Sequence, residues 1–158
     1  MNFKIFISYS TKDSLKINQI FELLKTIQNT EIFFSERTIP PGVPISQNII
    51  HSIRNCDVFL VFFSKFAKES NYVQQEIGAA KGNNKIIIPI LLDDTKPTGV
   101  LEGINYLNLS NPSKHDEEMR RLYSFLIRQV QNKKRNQALG LLTLLGLGYF
   151  MSREEENS

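Results

Sequence analysis

Tyr72 and Glu76 stand four residues apart in a stretch that reads as helix, so they share one helical face. A carboxylate fixed in a partly dry cleft can hold the positive charge that develops on a ribose carbon as its leaving group departs. An aromatic ring beside it offers a surface on which a flat heterocycle can stack. Ser8, Tyr9, Ser10 and Asp13 lie where the first apolar run gives way to a helix. Hydroxyls and backbone N–H groups at such a turn suit ribose hydroxyls or phosphate. Arg37, next to Glu36 in a proline-rich stretch, carries a guanidinium of the kind that pairs with pyrophosphate. Each of these residues also has an ordinary structural reading. Glu76 could be a solvated helix residue and Tyr72 an aromatic packed on the domain edge. Ser10 and Asp13 could be helix caps, and Arg37 an exposed loop charge.

The elements that must position these groups follow from hydrophobic periodicity. Residues 3–8 (FKIFIS), 31–35 (EIFFS), 57–63 (DVFLVFF), 85–92 (KIIIPILL) and 104–109 (INYLNL) read as strands. The third is apolar almost throughout, as expected of a central parallel strand covered on both faces. Pro89 is expected near the edge or end of the fourth. Between them come helical patterns. The first has Thr11 as its expected N-cap, with Leu15, Ile17, Ile20, Phe21, Leu23, Leu24 and Ile27 recurring at roughly helical spacing. The next holds Ile45, Ile49, Ile50 and Ile53; another covers Glu69 to Lys81, and a last one Asp116 to Gln131. Three prolines and a glycine make residues 38–44 (TIPPGVP) a loop, with Gly42 supplying backbone freedom. Alternating strands and helices with short connections demand a parallel sheet with right-handed crossovers. The expected fold is α/β: a flavodoxin-like, doubly wound, five-stranded parallel sheet in the order 2-1-3-4-5. Ligands of such sheets sit beyond the carboxyl ends of the strands near the switch in strand order. That rule points to Tyr9–Asp13, Ser35–Pro44 and Ser64–Tyr72, and it sets Glu76 on the rim of the sheet.

Composition narrows the function. The 158 residues are 41% apolar and 22% charged, which suits one domain with a sizeable core. The net charge of +3 is mild and no basic stripe with interleaved aromatics is present, so nucleic acid is not an expected partner. Cys56 stands alone and cannot form an internal disulfide, and the start of the chain lacks the pattern of a secretory signal. Both point to a cytoplasmic location. His51 and His115 are isolated, so no metal site is expected. No G-x-x-x-x-G-K-[ST] loop and no G-x-G-x-x-G fingerprint follows a strand, which disfavours an NTPase and a redox dehydrogenase. Phospho-accepting regulators of this architecture need an acidic pair after the first strand and an aspartate ending the third. Ser8-Tyr9-Ser10 and Ser64 stand there instead.

Four segments in order resemble the Toll/interleukin receptor (TIR) domain family. They are residues 4–10 (KIFISYS) with Asp13, residues 34–42 from Phe34-Ser35-Glu36-Arg37 to Pro40-Pro41-Gly42, residues 57–64 (DVFLVFFS), and residues 71–76 (NYVQQE). The resemblance covers residues 3 to 131 and is to short, prokaryotic-type, NAD-cleaving TIR proteins. It implies that Glu76 is catalytic and that Ser8, Tyr9, Ser10, Asp13, Arg37 and Tyr72 bind the substrate, NAD, with no separate cofactor. Tyr72 stands where many TIR enzymes have tryptophan. The implied activity is that of an NAD glycohydrolase or ADP-ribose cyclase in immune-type defence, whose product a downstream effector would sense. Pro40, Pro41 and Gly42 would form an assembly loop for TIR–TIR association. The same resemblance admits a non-catalytic adaptor that acts through that association alone.

The end of the chain is set apart by composition. The expected TIR domain is residues 1–132, followed over residues 133–158 by a basic linker (Lys133-Lys134-Arg135), an apolar segment and an acidic end (Glu154-Glu155-Glu156). Residues 138–151 (ALGLLTLLGLGYFM) carry no charge. As a helix they would measure about 21 Å, short of a hydrocarbon core of about 30 Å. Packing on protein, anchoring at a membrane and disorder or proteolysis all remain open readings.

Overall fold

The computed structural model describes the backbone of residues 1–34 and 46–156, with side chains among these as far as residue 141. Five parallel strands form one sheet: β1 (Phe3–Ser8), β2 (Thr30–Phe34), β3 (Val58–Phe63), β4 (Ile86–Leu91) and β5 (Leu107–Asn108). Their order is β2-β1-β3-β4-β5, as the alternation of strands and helices predicts. β3 lies at the centre, in register with Ile5–Ser8 of β1 on one side and Ile86–Leu91 of β4 on the other. All six of its residues are buried. Strand parity divides them between two cores. Val58, Leu60 and Phe62 join Ile5, Ile7, Ile17, Leu24, Leu122 and Leu126 on one face. Phe59, Val61 and Phe63 join Phe6, Ile53, Val73, Ile77 and Ala80 on the other.

The helices are α1 (Ser14–Lys25), α2 (Gln47–Asn55), α3 (Lys65–Glu69), α4 (Asn71–Gly82) and α5 (His115–Glu156). α1 and α5 cover the first face, and α2 and α4 the second. Several expectations are corrected. Ser10, not Thr11, caps the first helical turn, a 3-10 turn at Thr11–Asp13. Leu15 is exposed, so it lies outside the buried stripe of α1. Ser70 adopts an extended backbone between α3 and α4, so the helix leading to Lys81 is preceded by a separate short one. β5 is only two residues long, where a strand of six was expected.

Pro89 stands inside β4, level with Val61, rather than at its end. The Leu92 N–H donates to the Phe63 carbonyl, so alternate positions turn the nitrogen of Pro89 away from β3. On that side the ladder to β5 begins only at Ile90, so the missing N–H breaks no pairing.

α5 is a single helix of 42 residues, which continues without a break beyond Gln131 through the basic run. It is fastened at the lower edge of the sheet. Asp57 accepts from the Lys4 N–H at 2.7 Å and from Lys133 Nζ at 2.6 Å, and Lys133 also donates to the Asn2 carbonyl at 2.9 Å. One carboxylate thus ties β1, the entry to β3 and α5 together.

Candidate active site

Strand parity and helix periodicity meet at Ser8 and Glu76. Ser8 ends β1 with the parity of Phe6, so it faces the α4 side of the sheet. Val73, Glu76, Ile77 and Ala80 are the buried positions of α4 and form one stripe against that face. Glu76 therefore occupies an apolar stripe, and the Ser8 hydroxyl donates a hydrogen bond to its Oε2. Both residues are buried, Glu76 with 1% of its surface exposed. Glu76 thus lies at the carboxyl end of β1, on the rim of the sheet, and is enclosed there rather than open to solvent. Tyr72, one turn earlier on α4, is half-buried.

A second buried pair lies beside the first. Ser64, the residue after β3, donates from Oγ to Asp13 Oδ2 at 2.5 Å. The same Oγ accepts from the Ala67 N–H at 3.0 Å and so caps α3. Asp13 and Ser64 are both buried. Asp13 makes no side-chain cap to α1 and spends its carboxylate on Ser64 instead. Ser64 marks the end of the third strand in sequence, but its pairing with a residue 51 positions away carries no sequence signal. Among the described residues no buried side-chain polar atom lacks a partner. A buried carboxylate is tolerable only on that condition.

The other expected site residues fall into two groups. Ser10 is buried and accepts weakly from the Lys12 N–H at 3.4 Å. Tyr9 turns its ring edge-on to Phe21 of α1, with centroids 5.6 Å apart, and Phe21 stacks in turn on Phe34 at the end of β2. Ser8, Ser10, Asp13 and Glu76 are thus brought to the carboxyl ends of β1 and β3, with Tyr72 one turn away. Arg37, Pro40, Pro41 and Gly42 lie outside the described residues.

Asp93, just past β4, fixes the neighbouring wall. Its carboxylate accepts from the Lys65 N–H and the Thr95 N–H, each at 2.9 Å, holding the start of α3 against the end of β4. Burial pushes this carboxyl upward, but those hydrogen bonds outweigh it and leave the pKa below its ordinary value. A cavity of about 480 Å³ between Tyr106 and the Arg120–Arg128 stretch of α5 lies on the other side of the sheet edge, away from Glu76. No group of histidine, cysteine and carboxylate side chains suited to a metal occurs among the described residues.

The family model described as the TIR domain matches residues 5–123. No curated protein matches the chain. Among solved structures, the TIR domain of the Toll-related receptor TRR-2 from Hydra magnipapillata superposes with a TM-score of 0.62 at 23% identity, over 78% of this chain and 97% of that one. The TIR domains of the activated Roq1 resistosome, which directly recognises the pathogen effector XopQ, give 0.60 at 16% identity, over 79% and 99%. The CMP N-glycosidase BcmB of Clostridium botulinum gives 0.53 at 18% identity, over 75% and 97%. At these identities the likeness to solved structures is one of fold, and it agrees with the sheet order. With a family model spanning most of its length, the chain belongs to the TIR domain family.

Proposed function

We propose that this TIR domain cleaves the nicotinamide–ribose bond of NAD, with Glu76 as the catalytic carboxylate. The observation that carries the reading is a glutamate on the apolar stripe of α4, held by the Ser8 hydroxyl at the carboxyl ends of β1 and β3. Burying a carboxylate is costly, and a purely structural helix position is more economically filled by an apolar residue. As the C1′–N bond breaks, its electron pair leaves with nicotinamide, which departs neutral. The positive charge left on the ribose is met by the Glu76 carboxylate at low dielectric. Water then attacks C1′ and releases a proton to give ADP-ribose, or an adenine nitrogen closes a cyclic product. The cationic pyridinium is itself the leaving group, so the reaction calls for no cofactor. Tyr72 would stack on the substrate, and Arg37 would hold its pyrophosphate. That an N-glycosidase, BcmB, shares the fold supports chemistry of this class on such a sheet.

Glu76 is enclosed, so substrate reaches it only when the chain around it opens. Self-association through Pro40, Pro41 and Gly42 would drive that opening, and activity should then rise more than linearly with protein concentration. The setting is cytoplasmic defence signalling, with an effector that senses the product. The test is nicotinamide release from NAD by the purified chain and by Glu76→Gln. The glutamine can keep accepting from Ser8 while removing the charge, and far-UV circular dichroism checks that the variant is folded. It should lower the rate on the order of 10²-fold or more. A folded Glu76→Gln protein with unchanged activity removes Glu76 from the chemistry.

The burial of Glu76 also supports a second reading, a non-catalytic adaptor in which the Ser8–Glu76 pair only fastens α4 to β1. No nicotinamide release at high concentration, or when assembly is forced, would favour it.

A further inference from the structure

Among the described residues of α5, Val130 is the last buried one, and Lys133 donates to Asp57 and to the Asn2 carbonyl. From Lys134 to Leu141 every residue is exposed. Eight residues exceed two helical turns, so no side of the helix is covered by its own domain there. The helix nevertheless continues to Glu156. It carries the uncharged run of residues 138–151, which includes six leucines. An apolar run of that length is unfavourable in water and calls for a cover. Among the described residues no helix is long and apolar enough to cross a membrane.

The order of charges along this helix says what the cover is. Two residues before the apolar run stands Lys133-Lys134-Arg135, and two residues after it stands Glu154-Glu155-Glu156. The pattern is symmetric in spacing and opposite in sign about the midpoint between Leu144 and Leu145. Two copies laid antiparallel about that midpoint bring every basic block level with an acidic one. Lys134 is level with Glu155, Gln137 with Ser152, Leu139 with Phe150 and Leu142 with Leu147. Arg153 is the one charge out of pattern, and it falls level with the neutral Asn136. A parallel pair would set like charges side by side. The antiparallel pair also sets opposite helix dipoles against each other. An anionic membrane would attract the basic block but repel the glutamates.

We propose that α5 beyond Lys133 is a dimerisation helix, whose occupant is the same segment of a second copy, antiparallel, in an isologous two-fold arrangement. The apolar run supplies the affinity. The charge blocks decide whether that affinity is realised: complementary blocks fix direction and register, and like charges brought level at both ends of the pair oppose association. This inference does not depend on NAD chemistry, and its test contains no substrate.

The test is sedimentation of the full chain and two charge-reversed variants. The unaltered chain should sediment at about twice its 18.2 kDa mass. Glu154→Lys/Glu155→Lys/Glu156→Lys should sediment as a monomer, and so should Lys134→Glu/Arg135→Glu. An equimolar mixture of the two variants should recover the dimer, because each restores the other's complement. A second readout uses cysteines: Gln137→Cys mixed with Ser152→Cys should give a disulfide-linked dimer under mild oxidation, while Gln137→Cys alone should not. Dimers that survive both charge reversals would overturn the proposal, as would cross-linking of Gln137→Cys with itself. A full chain that is monomeric in water and floats with anionic lipid vesicles would overturn it in favour of a membrane.

Discussion

Replacing Ser64 with alanine tests whether the second buried pair holds the walls of the site together. Its Oγ does two things at once: it donates to Asp13 at 2.5 Å and caps α3 by accepting from the Ala67 N–H at 3.0 Å. Both Ser64 and Asp13 are buried, so water does not replace the lost partner. Loss of an N-cap costs about 1 kcal/mol. Loss of a hydrogen bond to a carboxylate costs about 1.5–3 kcal/mol, because the acceptor stays desolvated. The expected total is about 3 kcal/mol. For a chain of this size that lowers Tm by roughly 6–12 °C. Urea unfolding followed by far-UV circular dichroism measures it. The cycle with Asp13→Asn then isolates the side-chain pair, with an expected coupling above about 1 kcal/mol. A Ser64→Ala cost below about 0.5 kcal/mol, at unchanged denaturant slope, would refute the claim that this pair braces α3 against the turn after β1.

Burial raises the Cys56 thiol to about 11, with Asp57 adding to the rise and Lys85 opposing it. Above about 9 the unfolded chain ionises this thiol and the folded chain does not, so stability should fall as pH rises from about 9 to 11, by about 2–3 kcal/mol. Cys56→Ala should lack that component in urea midpoints compared at pH 8 and 10.5, and equal slopes in the two proteins would contradict it. Asp93 has a folded pKa held below its ordinary value, so its contribution is present at neutral pH and fades as pH falls through that lowered value. Asp93→Asn should destabilise the protein at pH 7 and converge with it at strongly acid pH; a gap that persists there would point to a cause other than the charge. Lys133→Met should cost about 1 kcal/mol and speed amide exchange in the last domain-bound turn of α5, since it removes the ties to Asp57 and Asn2. Unchanged exchange there would show that apolar packing alone fastens the helix.

The sheet was legible because its strands are apolar runs whose burial leaves little choice of order. β3 is the clearest case, buried at every position. Boundaries were less legible. Ser70 reads as an ordinary helical neighbour in sequence, yet it takes an extended backbone and caps α4. The serines at 64 and 70 each precede a helical turn, and that repeated cap was the available signal. Glu76 stands out through its place in the motif, and its enclosure goes further than the partly dry cleft expected for it. The stripe of Val73, Ile77 and Ala80 already placed it inward. The contact of Ser64 with Asp13 could not be read at all, since only folding brings residues 51 apart in sequence together.

The continuity of α5 sets a distance. From Val130 to the midpoint of the antiparallel pair is about 14 residues, or roughly 22 Å of helix. The two domains of a pair are then anchored roughly 44 Å apart along the axis. A domain of this size has a radius of gyration of about 14 Å, so the spacer keeps the two from meeting each other. Each dimer therefore acts as a bivalent particle whose domains must find partners on other dimers. Domain–domain contacts that would close into isolated pairs between free monomers would instead propagate from dimer to dimer. Once one contact forms, the second domain gains a high effective concentration for the next, and growth steepens without any stronger individual interface.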